Sequence, residues 1–199
     1  PKGASDDRWF WNFATTGFSM QTAFALFGVS PEAAFVSFTA RFFGLTSLES
    51  YNPDHHTRLT LNGTVIGDFL WDGQTEYVLQ TDLPQSLLRD GSNALSAVEV
   101  ADTGAPYDVV YVNDFDLSYR RLFAASSGSL RFGTGDKTDY LIGGFTASGL
   151  CLYDVTDPAR PKRIVDFVES GAGPFSGAFG RRDLGERRYQ AAAAAAIPH

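Results

Sequence analysis

Two turn signatures set the fold of this chain. The first lies in Leu59-Thr60-Leu61-Asn62-Gly63-Thr64-Val65-Ile66, the second in Leu87-Leu88-Arg89-Asp90-Gly91-Ser92-Asn93-Ala94-Leu95. Asn-Gly between alternating apolar residues marks a two-residue type I′ hairpin, because both central residues then adopt φ > 0. The two signatures are spaced like the hairpins of a β-sandwich. The sequence around them agrees. Phenylalanine and glycine are abundant (17 and 20 of 199 residues), and short apolar runs are broken by Gly, Asp, Asn and Pro without helical periodicity.

Strands are expected at Phe18–Phe27, Ala33–Leu45, His56–Leu61, Thr64–Leu70, Thr75–Asp82, Asn93–Val100, Val109–Tyr119, Ser129–Phe132, Asp139–Phe145, Leu150–Asp154, Lys162–Phe167, Pro174–Phe179 and Arg187–Gln190. Leu83–Leu88 reads as one helical turn. Six alanines between Gln190 and Ile197 read as the start of a helix, since alanine has the highest helix propensity. The small, polar stretch Ala124-Ala125-Ser126-Ser127-Gly128 marks a boundary. The expected organisation is a sandwich over 1–123, a small β-rich subdomain over 124–190, and a helical linker beginning at 191–199.

Charge narrows the function. The formal net charge is -7 and the basic residues form no stripe, which disfavours nucleic acid as a partner. No apolar run is long enough for a membrane-spanning helix. The single cysteine, Cys151, makes neither an internal disulfide nor a thiolate metal site.

Individual candidates for chemistry read mostly as structure. His55 and His56 are neighbours on a strand and face opposite ways, so they do not serve one site together. Cys151, between Leu150 and Leu152, is expected in the core. Gly133-Thr134-Gly135-Asp136-Lys137-Thr138 departs from the phosphate-loop pattern and reads as a hairpin loop. Asp154 and Asp157 are expected to bend the chain through Asx turns before Pro158. Trp71 with Asp72 is the candidate ligand-binding pair, an aromatic ring and a carboxylate for a sugar, weighed against Trp71 as a core residue. Arg181, Arg182, Arg187 and Arg188 are a candidate processing region, weighed against a solvated charge cluster. No nucleophile triad, nucleotide loop or HExxH motif is present, so the chain itself is not expected to be an enzyme.

An ordered set of motifs resembles the region preceding the catalytic domain of gingipain-type cysteine peptidases. It begins with Asp7-Arg8-Trp9-Phe10-Trp11, continues through Asp54-His55-His56-Thr57-Arg58-Leu59 into Asn62-Gly63-Thr64, and includes Trp71-Asp72-Gly73. Asp108-Val109-Val110, Phe115 to Arg121, Gly144-Phe145 and Leu152-Tyr153-Asp154-Val155-Thr156-Asp157-Pro158 complete it. The turn signatures are also similar to those of galactose-binding-like jelly rolls. The resemblance implies an all-β chain: a jelly-roll β-sandwich, a smaller antiparallel β subdomain, and a short C-terminal helix. It implies a non-catalytic scaffold, prodomain or exosite of a secreted bacterial peptidase, whose catalytic domain follows as partner. The alternative is a carbohydrate-binding module with polysaccharide as partner. No cofactor is expected beyond the structural calcium that such jelly rolls often carry, and no loop here has the spacing that locates it.

Overall fold

The computed structural model describes residues 10–181 and 185–193. The chain divides into two compact units, Pro1–Arg120 and Arg121–His199. Both are built from antiparallel sheets.

The first unit contains β1 (Asn12–Thr15), β2 (Met20–Leu26), β3 (Phe35–Gly44), β4 (His55–Leu61), β5 (Thr64–Trp71), β6 (Glu76–Pro84), β7 (Gly91–Glu99) and β8 (Val109–Ser118). They form two four-stranded sheets, β1-β8-β3-β6 and β2-β7-β4-β5. Successive strands mostly alternate between the sheets, as in a jelly roll. The hairpin β4–β5 stays within one sheet, and its loop is Asn62-Gly63, with φ of 51° and 85° and Leu61 paired to Thr64. Both positive angles are those of a type I′ turn. The second signature is not a hairpin. Gly91 opens β7 with φ 94°, pairing with Leu26, and Asn93 lies within that strand.

Period-two alternation builds the core. Strand β4 alternates buried and half-buried positions, placing His55, Thr57, Leu59 and Leu61 inward. Strand β7 directs Asn93, Leu95, Ala97 and Glu99 the same way. Phe38 and Phe42 from β3, Met20 from β2, and Val110 and Val112 from β8 fill the interior. Each large apolar side chain buried there contributes about 1.5–3 kcal/mol. The expected helical turn is a single 3-10 turn at Gln85–Leu87.

The second unit contains β9 (Ser129–Gly133), β10 (Asp139–Phe145), β11 (Leu150–Asp154), β12 (Lys162–Arg163), β13 (Val168–Ser170), β14 (Phe175–Gly180) and β15 (Arg188–Ala193). Its sheets are β12-β11-β15-β9 and β10-β14-β13. Phe132, Tyr140, Phe179 and Tyr189 form an aromatic cluster beside Ile142, Phe145 and Leu152.

Several expectations are corrected. Gln190–Ala193 is strand rather than helix: β15 lies between β11 and β9, with Ala191 and Ala193 buried. A short alanine helix is marginal alone, whereas this segment gains two ladders of backbone hydrogen bonds. Residues 194–199, the rest of the expected helix, lie outside the described residues. The Gly133–Thr138 loop joins strands of different sheets rather than a hairpin. Cys151 is half-buried, because alternation along β11 turns Leu150 and Leu152 inward instead. Only Lys162–Arg163 of the Lys162–Phe167 segment is strand, and the short strands β1 and β13 had no sequence signal.

Candidate functional site

One end of the sandwich interior is polar. Pairing of β4 with β7 sets Leu61 opposite Leu95, Leu59 opposite Ala97, and Thr57 opposite Glu99. The inner face thus changes from apolar to ionisable over three rungs. His55, one step further along β4, faces Asp108, which immediately precedes β8 in the opposite sheet. His55 is 0% exposed, Glu99 2% and Asp108 2%.

The contacts are specific. His55 Nδ1 lies 2.5 Å from Asp108 Oδ1, and Nε2 lies 3.2 Å from the Gly73 carbonyl. Asp54 Oδ1 stands 3.5 Å from the same nitrogen. Asp54 is itself held by the backbone N–H groups of Leu48 (2.7 Å) and Gly73 (2.9 Å). The Trp71 indole N–H donates to Thr57 Oγ1 at 3.0 Å, and the Thr57 hydroxyl donates to the Glu99 carboxyl, 3.0 Å from each oxygen. Thr15 Oγ1 donates to the Asp108 carbonyl at 2.6 Å, fixing the backbone that presents the carboxylate. Asp108 Oδ2 is buried and receives no hydrogen bond. Gly44 leaves the room that this needs: a Cβ there would collide with the Gly73 carbonyl and His55 Nε2.

Burial pushes the Glu99 carboxyl up to about 9, and the charge and carboxyl of Asp108 add to the rise; the Thr57 hydroxyl acts the other way. Glu99 therefore carries a proton at neutral pH when no cation is near, and that proton is what can serve Asp108 Oδ2. For His55, burial opposes the charge. The hydrogen bond and charge of Asp108, then Asp54 and the Gly73 carbonyl, outweigh it and hold the imidazole above its ordinary range.

His56 points to the other face, as strand alternation requires. Its Nδ1 and Nε2 each lie 2.6 Å from a carboxylate, Asp102 and Asp68 respectively. Burial again opposes the charge and the two carboxylates outweigh it, so His56 is also raised. The two histidines thus grip one segment between β7 and β8 from opposite faces, through Asp102 outside and Asp108 inside.

Other sequence candidates fall elsewhere. Trp71 is a core residue, 7% exposed, with its ring centroid 4.4 Å from that of His55 and 5.6 Å from that of Tyr77. Its alternate position at the end of β5 turns it inward, so its faces are covered. Asp72 is exposed and accepts from Asn52 Nδ2 at 3.3 Å. Arg181 is buried, its guanidinium bonded to Thr134 Oγ1 and to the Gly135 and Gly185 carbonyls. Arg187 lies 3.5 Å from Asp154, and Arg188 opens the interior strand β15. Arg182 lies outside the described residues. Two further carboxylates, Asp114 and Asp116 on β8, both pair with Arg41, at 2.5 and 2.9 Å. Asp154 and Asp157 accept from the N–H groups of Thr156 (2.9 Å) and Ala159 (3.1 Å), as Asx turns do.

Among the described residues, His55, Glu99 and Asp108 form a group with donors to hold a cation, their ligand atoms within 4.8 Å of one another. Sequence reasoning missed Glu99 and Asp108. The available signal was a carboxylate at an inward position of β7, directly after Leu95 and Ala97 on the same face. All three residues are closed off from solvent in this structure.

The architecture is therefore that of a β-sandwich with an added antiparallel β unit and a sealed polar cluster. No family model matches the sequence, and no curated protein does. Among solved structures, dimeric latent PorU from Porphyromonas gingivalis, a gingipain-like peptidase, aligns over 98% of this chain at 10% identity with a TM-score of 0.60. The chain spans 22% of that PorU chain. The carbohydrate-binding module CBM36, in complex with calcium and xylotriose, aligns over 52% of this chain and 75% of its own at 13% identity, with a TM-score of 0.36. A cycloisomaltooligosaccharide glucanotransferase from Paenibacillus sp. aligns over 88% of this chain and 41% of its own at 10% identity, with a TM-score of 0.31. The fold is thus one that a gingipain-like peptidase contains. No helix among the described residues is long and apolar enough to cross a membrane.

Proposed function

We propose that this chain is a non-catalytic scaffold region of a secreted, gingipain-like cysteine endopeptidase, working beside a catalytic domain of the same polypeptide. The observation that carries this reading is the alignment of 98% of the chain with a part of PorU that makes up 22% of that protein. The sealed cluster supports it from the chemical side. The imidazole and its two carboxylate neighbours are at most 2% exposed, as suits a core-stiffening role rather than turnover. The packing of Trp71 against His55 and Tyr77 weighs against a carbohydrate-binding role for that ring.

A scaffold contributes by being folded before or beside the catalytic part and offering it a fixed surface. Expressing the parent gene with and without the codons for this chain tests that role. The peptidase portion is expected to accumulate in soluble, active form only when the scaffold is present. Full yield and full activity without it would contradict the proposal.

A further inference from the structure

We infer that His55, Glu99 and Asp108 form a closed binding site for one divalent first-row transition-metal ion, zinc foremost, which pins the two sheets of the sandwich together at this end. Three donors from three separate parts of the chain converge here within 4.8 Å, all of them buried. Beside that convergence, Asp108 Oδ2 is a buried carboxylate oxygen with no hydrogen-bond donor unless Glu99 is protonated. Such an oxygen is rarely left alone, because its desolvation is then uncompensated.

The surroundings match those of metal ligands. His55 Nε2 faces the Gly73 carbonyl at 3.2 Å, an acceptor only, so Nε2 keeps its hydrogen, and Nδ1, which donates to Asp108 Oδ1 at 2.5 Å in the metal-free chain, is the nitrogen that can take the ion once that proton leaves. Asp54, occupied by two backbone N–H groups and 3.5 Å from Nε2, supports that tautomer from behind. Thr57 orients Glu99 and is itself oriented by the Trp71 indole. With neutral imidazole and two carboxylates, a divalent ion makes the inner set neutral, removing the like-charge repulsion of two adjacent buried acids.

The donor set selects the metal. Calcium takes six to eight oxygens, whereas one imidazole nitrogen and two carboxylates suit zinc and its transition-series neighbours. Zinc ligands stand about 2.0–2.2 Å from the ion, so binding opens the 2.5 Å contact between Nδ1 and Asp108 Oδ1 to roughly 3 Å and displaces the protons held there. Glu99 lies on β4's partner strand β7, and Asp108 enters β8 of the facing sheet, so the ion ties one sheet to the other.

A single rival occupant satisfies the same atoms: a proton on Glu99, donated to Asp108. Glu99→Gln separates the two. Its amide reproduces the neutral acid's shape, donor and acceptor, but is a poor metal ligand. The untagged chain, purified without chelator and dialysed against zinc, is assayed for metal content by mass spectrometry and for melting temperature with and without EDTA. One zinc per chain is expected, with a melting temperature lowered by EDTA and restored by zinc but not by calcium. Glu99→Gln is expected to hold no zinc and to be insensitive to EDTA. Thr57→Val, which keeps the three ligands, is expected to bind zinc about 10–100-fold more weakly. Substoichiometric metal after zinc loading, with Glu99→Gln as stable as the parent in both conditions, would overturn the metal site in favour of the shared proton.

Discussion

The side-chain amide of Asn62 donates a 2.8 Å hydrogen bond to the side-chain oxygen of Asn93, joining the two turn signatures into one unit. Asn62 Nδ2 also donates to the Leu87 carbonyl at 2.8 Å, and its Oδ1 accepts from the Ala94 N–H at 2.9 Å. Asn93 accepts from the Arg89 N–H at 2.9 Å and donates to the Arg89 and Gly91 carbonyls at 2.8 and 3.1 Å. Asn93→Ala removes the partner of several groups at once, and Asn93 is 1% exposed. Urea denaturation is expected to show a loss of about 2 kcal/mol or more. A change below a few tenths would mean that this amide pair does not hold the loop.

Trp71 serves the core. Trp71→Ala is expected to lower stability by about 3–5 kcal/mol in chemical denaturation. Trp71→Phe keeps most of the ring but strands Thr57 without the indole N–H, so a smaller loss is expected. A fully stable Trp71→Ala chain that had lost retention on a polysaccharide affinity gel would instead restore the sugar-binding role.

Gly44 is required for space rather than for backbone conformation. Gly44→Ala drives a methyl group into the Gly73 carbonyl and the His55 ring. Over-packing of this kind costs about 1–3 kcal/mol. A melting temperature equal to that of the parent would show that the His55 pocket yields more easily than its contacts suggest.

Stability of the chelated chain is expected to depend on pH through Glu99. Its carboxyl is raised from 4.5 to about 9 on folding, so the folded state keeps a proton that the unfolded chain releases. The stabilisation from that proton is complete below the unfolded value and is lost as pH rises through the folded one. In EDTA, the melting temperature of Glu99→Gln should therefore gain on the parent between about pH 5 and about pH 9. Parallel pH profiles for the two chains would contradict the raised carboxyl.

The parts of this fold legible in the sequence are those specified locally. Asn62-Gly63 states its own backbone angles, and alternation along β4 and β7 tells inward from outward residues. The alanine run misleads because local propensity favours helix, while the ladders to β11 and β9 that make Gln190–Ala193 a strand come from distant residues. The polar cluster was hidden for a related reason. His55 lies 53 positions from Asp108, and Thr57 lies 42 from Glu99. No spacing rule links residues so far apart, and only register between strands brings them together. The opposed faces of His55 and His56 were legible, but the segment that both hold was not.

The role of this chain as the accessory part of a peptidase is tested most directly by determining the coding sequence that follows His199 in the parent gene. An open frame that continues into an α/β domain carrying a histidine and a cysteine for catalysis is the predicted result. A frame that stops shortly after His199, or runs into a domain without that pair, would contradict it.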